Sequence, residues 1–300
     1  MFEEGQLYAP ITHGADGEVE VQLSADHPGV GDPVYRARRN AIAALALAWT
    51  PGHDIPQAEY TQQEQDVWVQ VSSELTGLHR SFACAEFLAG AQRLRLPADR
   101  IPQLDEVTAA VQPLTGFHYV PAAGLVPLRD FYGSLADSVF HSTQYIRHHS
   151  VPLYTPEPDV IHEVVGHANC LASDRFARLY RAAGGAARRV ETPAALEFVS
   201  KVFWFSLEFG VLREAGQVRT YGAGLLSSYG EIQEIAHADL RPLDVSRMGV
   251  QTYDITHYQP VLFCADGFSQ VEDVVGAFFD TVDDALVDTL TSPGVSQLSR

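Results

Sequence analysis

The segment "YTPEPDVIHEVVGHANC", residues 154–170, places two histidines five positions apart with a glutamate directly after the first. Imidazole is the commonest protein metal ligand, and its unperturbed pKa leaves it neutral, and so able to bind, at physiological pH. Spacing decides whether two of them can meet. In a regular helix, side chains four apart share a face, while five positions rotate the second by roughly 140°. His162 and His167 therefore do not form the zinc-protease pattern H-E-x-x-H. Gly166, directly before the second histidine, lets the helix end or distort there, so that His167 can swing back toward His162.

A third ligand has to come from elsewhere. The stretch "VFWFSLEFGVL" has one charged residue, Glu208, among Phe203, Trp204, Phe205, Leu207 and Phe209. An isolated carboxylate in such surroundings is costly unless it is paired or bound to a cation. Two histidines and one carboxylate on one side of an ion leave the opposite positions open, which is the facial triad of non-haem Fe(II) oxygenases. The residues alone leave three readings open. One is that oxygenase, another is a zinc hydrolase with Glu163 as general base, and the third has no metal and pairs Glu208 with an arginine such as Arg213.

These side chains must be positioned by helices. "DPVYRARRNAIAALALAW" has an Asp N-cap, Pro at the first helical position and apolar residues at helical spacing. From Thr61 a capping box with Glu64 opens a long run through "FLAGAQRL" at residue 94. "IPQLDEVTAAVQPLTGF" reads as a shorter helix ending near Pro113, and "PLRDFYGSLADSVFHSTQYI" as another leading into the histidine segment. "TPAALEFVSKVFWFSLEFGVL" is an apolar helix, "RTYGAGLLSSYGEIQEIA" a Gly-rich turn feeding a helix, and "VEDVVGAFFDTVDDALVDTL" an acidic amphipathic helix. "VQTYDITHYQPVLFCA" alternates and is expected to be extended, as is "GEVEVQLS". The class expected is mainly α (α+β), with residues 1–25 an extended N-terminal segment and 26–300 one domain.

Composition narrows the partners. With 38 acidic against 20 basic residues, a net charge of −18 and a pI near 4.9, nucleic acid and anionic membranes are expected to be repelled. No basic, apolar leader opens the chain and no apolar run of membrane-spanning length occurs, so a cytoplasmic protein is expected. Cys84, Cys170 and Cys264 are odd in number and widely spaced, which fits buried thiols.

The chain resembles the pterin-dependent aromatic amino acid hydroxylases. The matching stretches are "DHPGVGDPVYRARR", "IPQLDEV", "TGF", "AGL", "RDF", "TQYIRH", "YTPEPDVIHEVVGH", "WFSLEFG" and "YGAGLLSSYGE", in order from residue 26 onward. The resemblance is to the catalytic domain, and neither a regulatory domain nor a tetramerisation helix is expected; a monomer or small homo-oligomer is. It implies a basket-like helical fold around Fe(II) held by His162, His167 and Glu208, with tetrahydrobiopterin as cofactor and O2 as co-substrate.

The resemblance also implies roles at individual positions. Arg147 would hold the substrate carboxylate bidentately, a task suited to guanidinium geometry. Thr155, Gly224, Ser227 and Ser228 would complete the amino-acid grip, and Trp204, Pro158, Phe209 and His162 would wall the ring pocket. Phe131 would stack on the pterin, Gly124, Leu125 and Val126 would offer backbone groups to its edge, and His141 and Glu163 would lie beside it. Tyr253 would belong to a segment covering the site, while His148 and His149 look like exposed loop residues without a role. Two departures stand out: Ala168-Asn169-Cys170 replaces the Val-Pro-Leu of many members, and Phe203 replaces a tyrosine. Trp204, together with an aliphatic Ile255, suits an unsubstituted ring, so phenylalanine 4-hydroxylation is expected. The alternatives are another ring position or tryptophan.

Overall fold

The computed structural model describes residues 10–13, 18–124, 126–254 and 257–292. Helices make up most of it, with a few short strands, as expected. Local sequence chemistry accounts for the early helix starts. Asp32 Oδ1 accepts the N–H groups of Val34 and Tyr35 at 2.8 and 3.1 Å, and Pro33 opens the helix Pro33–Ala48. Thr61 and Glu64 close a reciprocal capping box on the helix Gln62–Phe82.

Tertiary partners rewrite several boundaries. The run expected to continue to residue 94 breaks at Ala83–Cys84, where the Cys84 N–H bonds the Thr220 carbonyl at 2.9 Å, and resumes as Ala85–Leu94. The helix Leu104–Thr115 passes through Pro113 and closes on Gly116, whose φ of 84° suits glycine. The helix expected over 127–146 covers only Leu128–Leu135. Beyond it, Val139–Ser142 is a strand parallel to His118–Pro121, with Tyr119 opposite Phe140. Among the described residues of the extended stretch expected over 250–265, only Val261–Ala265 form a strand. It lies inside a four-stranded sheet, between Val211–Glu214 and Asp239–Pro242, with Gln217–Thr220 at the edge. The closing acidic helix is two pieces, the second being Asp284–Thr291 capped by Asp283. Among the described residues, no helix is long and apolar enough to cross a membrane.

The helix Asp174–Arg189 was not expected. Its buried face includes Ala177, Ala183, Gly184, Ala186 and Ala187, small residues whose apolar period is offset by arginines that make the segment polar on average. Small size is what its neighbour requires. A Cβ at Gly184 would stand 2.2 Å from the Ala136 nitrogen and 2.8 Å from the Tyr132 carbonyl oxygen, backbone atoms that cannot rotate away. Gly184→Ala should therefore destabilise the fold by about 1 to 3 kcal/mol despite alanine's better helix propensity. Thermal unfolding checks this against Gly77→Ala, where a Cβ meets nothing within 4 Å.

Candidate active site

Two short π-helical segments shape the centre of the molecule: His162–Ala168 and Trp204–Glu208. Hydrogen bonds from i to i+5 bring residues five apart onto adjoining turns, which answers the spacing problem directly. The chain distorts at the histidines and does not end there. The Nε2 atoms of His162 and His167 come to 2.9 Å, with their rings perpendicular at 90°. Gly166 serves this packing, because a Cβ there would meet the Ala223 carbonyl oxygen at 2.7 Å. After the second histidine the helix runs on as Asn169–Leu171, and Asn169 Nδ2 bonds the Val165 carbonyl.

Glu208 completes the cluster. Its Oε1 is 3.2 Å from His167 Nε2 and its Oε2 is 3.8 Å from His162 Nε2. Arg213, the alternative partner, is an exposed residue on the strand Val211–Glu214. The outer nitrogens are fixed from behind: His162 Nδ1 contacts Ser227 Oγ at 2.9 Å and His167 Nδ1 contacts Tyr180 OH at 2.8 Å. Such outer contacts set the tautomer that turns Nε2 toward a metal. Burial, and then the neighbouring His167, press His162 down to about 4, so its ring stays neutral at pH 7. Burial raises the Glu208 carboxyl, but His167 and His162 outweigh it and hold the group ionised. Two imidazole nitrogens and one carboxylate, converging in a largely buried cluster, fit a divalent cation.

The cluster sits in a cavity of about 580 Å³, a size suited to small ligands. Lining it are Gly124, Val126, Phe131, His141, Arg147, Thr155, Pro158, Glu163, Trp204, Phe209, Gly224, Ser227 and Ser228, together with the three cluster residues. Thirteen separately expected positions thus share one space with the candidate ligands. Leu125 and Ile255 lie outside the described residues.

A family model described as biopterin-dependent aromatic amino acid hydroxylase matches residues 14–288. The chain belongs to that family. It is 51% identical over 262 residues to phenylalanine 3-hydroxylase of Streptomyces coeruleorubidus, covering 87% of this chain and 94% of that one. It is 40% identical over 267 residues to rat phenylalanine-4-hydroxylase, of which it spans 59%. Among solved structures, Chromobacterium violaceum phenylalanine hydroxylase with bound iron(III) and 7,8-dihydrobiopterin is similar at a TM-score of 0.70. That match has 28% identity and covers 79% of this chain and 90% of that one.

Other parts of this hydroxylase were less legible. Arg147 is buried and already engaged: its Nε and Nη2 donate to the two Asp159 oxygens at 2.8 Å each, and its backbone N–H donates at 2.8 Å. Asp159 also accepts the His162 N–H at 3.3 Å, so one carboxylate ties the arginine to the metal segment. Glu157 pairs with Arg39 and His27, and Arg39 stacks 3.4 Å over the Tyr145 ring. Tyr253 does not line the cavity; it stacks on Trp204 at 4.3 Å and 16°, and Phe209 adjoins the indole at 4.5 Å. His148 is buried, not exposed as expected, and contacts Ser150 and Asp32. Glu163 is buried in the cavity wall, where desolvation and the charges of Glu208 and Asp159 push its carboxyl well up; a bound cation opposes that shift. Phe203, in the tyrosine position, lies edge-on to Tyr132 at 4.9 Å. Sequence reasoning missed Asp159, Tyr180 and Glu231, polar residues whose significance lies in what they face.

Proposed function

We propose that the chain hydroxylates the aromatic ring of free L-phenylalanine, using Fe(II), a tetrahydropterin and O2. The observation that carries this reading is the convergence of His162, His167 and Glu208 within a cavity walled by Trp204, Phe209 and Pro158, with Arg147 at its side. His162, His167 and Glu208 would hold the iron. Iron and pterin together supply the activation of O2. The protein's own residues bind, orient and exclude water. Arg147, held rigid by Asp159, receives the substrate carboxylate on the guanidinium edge that Asp159 does not occupy, with Thr155, Gly224 and Ser228 around it. Ser227 keeps His162 oriented. Phe131, Gly124, Val126, His141 and Glu163 form the pterin end, where Ser134 Oγ steadies His141 Nδ1 at 3.1 Å.

Ring position is the finer question. The sequence leads to position 4, and the rat relative is named for it. Greater identity, over nearly the whole length of the relative, supports position 3. Incubating iron-loaded protein with L-phenylalanine and a tetrahydropterin in air, then separating para- from meta-tyrosine, decides between them. Absence of any hydroxyphenylalanine would remove the proposal.

Trp204 is clamped between Phe209 and Tyr253, which fixes the plane of the indole against the ring pocket. Trp204→Phe should raise kcat/KM for tryptophan relative to phenylalanine by about 10- to 200-fold, the usual range for a change in pocket volume. A parallel fall in both activities with iron retained would make Trp204 a packing residue only.

A further inference from the structure

Glu231 is 9% exposed and lines the same cavity. Oε1 accepts the Gln259 N–H at 2.7 Å. Among the described residues, Oε2 accepts no hydrogen bond, and no lysine, arginine or histidine stands within ion-pair distance. The other buried carboxylates near the substrate end are paired, Glu157 with Arg39 and Asp159 with Arg147. The charged or titratable neighbours of Glu231 through the Tyr258 phenol, namely Glu234 and Tyr154, offer no positive charge. Desolvation, only partly offset by the Gln259 N–H, pushes the Glu231 carboxyl up to about 7. A buried carboxylate kept without a cation is a cost that a ligand can relieve.

Its placement points to that ligand. Asp159 takes the His162 backbone N–H and holds Arg147. Ser227 Oγ touches His162 Nδ1, and the adjacent Ser228 Oγ accepts the Glu231 N–H at 3.4 Å. Arg147 and Glu231, a cation and an anion, are thus each linked through one or two residues to His162 and line the same cavity. A free amino acid carries the complementary pair, carboxylate and ammonium on one carbon. We propose that Glu231 is the residue that receives the α-ammonium group of the substrate, so that the site selects free amino acids over ring compounds lacking that group. This rests on the reading of the chain as a hydroxylase of free amino acids. The pairing turns the zwitterion about Cα and so positions the aromatic side chain relative to the metal ligands.

The test is calorimetric titration of iron-loaded protein with L-phenylalanine and with 3-phenylpropanoate, which keeps ring and carboxylate but has no ammonium. Glu231→Gln keeps the acceptor for the Gln259 N–H and removes the charge. It should weaken L-phenylalanine binding about 10-fold or more, as expected for a hydrogen bond to a charged group, and leave 3-phenylpropanoate binding unchanged. Glu231→Asp, which keeps the charge at shorter reach, should recover part of the preference for phenylalanine, and it serves as the readout if the Gln variant fails to fold. Equal weakening for both ligands in either variant, or an unchanged preference in the Gln variant, overturns the assignment. Turnover assays on the unaltered protein test the hydroxylase reading separately, since binding preference is measured without chemistry.

Discussion

The Glu208→Gln protein should fold, bind iron at least about 100-fold more weakly, and hydroxylate nothing measurable. Loss of even an outer partner of a metal ligand costs 10- to 100-fold in affinity or activity, and Glu208 is placed as a ligand itself. Its carboxylate is the charge that the two imidazoles face, and it is held beside them by the π-helical turn Trp204–Glu208. An amide of the same shape keeps the packing and removes the charge, so thermal stability without metal should change little or rise. Iron content after anaerobic reconstitution and desalting is the measurement. Full iron together with full turnover would move the carboxylate ligand elsewhere.

A second large effect is expected at Asp159, which is fully buried and takes two guanidinium bonds, the Arg147 N–H and the His162 N–H. Asp159→Ala leaves the Arg147 charge buried without its partner. Breaking a buried pair in this way costs about 3 to 5 kcal/mol, well beyond the effect of an exposed pair. Chemical denaturation should show that loss in the iron-free protein. In whatever protein remains folded, L-phenylalanine binding should weaken as the guanidinium loses its fixed plane. A midpoint within error of the unaltered protein would mean that the Arg147–Asp159 pair carries no structural weight.

The candidate ligands were legible because their residue types are conspicuous: two histidines beside a glutamate, and one carboxylate in an aromatic helix. How histidines five apart meet was legible only as an end or a distortion at Gly166, since the i to i+5 turns depend on the backbone contact that Gly166 allows with Ala223. The caps at Asp32 and Thr61 were readable for the opposite reason, being settled within a few residues. Residues 139–142 pack as a strand only because His118–Pro121 lies alongside, and the run broken at Cys84 needs Thr220. Glu231 reads in sequence as one polar position of a short helix. Its near burial and its one backbone partner, the Gln259 N–H, come from the fold and not from the residues beside it. Tyr253 and His148 show the same limit, as their neighbours Trp204 and Asp32 come from distant parts of the chain.

The most direct test of the central claim is isotopic. Iron-loaded protein supplied with L-phenylalanine, a tetrahydropterin and 18O2 should yield hydroxyphenylalanine whose ring oxygen carries the label, with none formed when iron, pterin or O2 is withheld. A product labelled from water, or hydroxylation that persists without iron, would contradict the account.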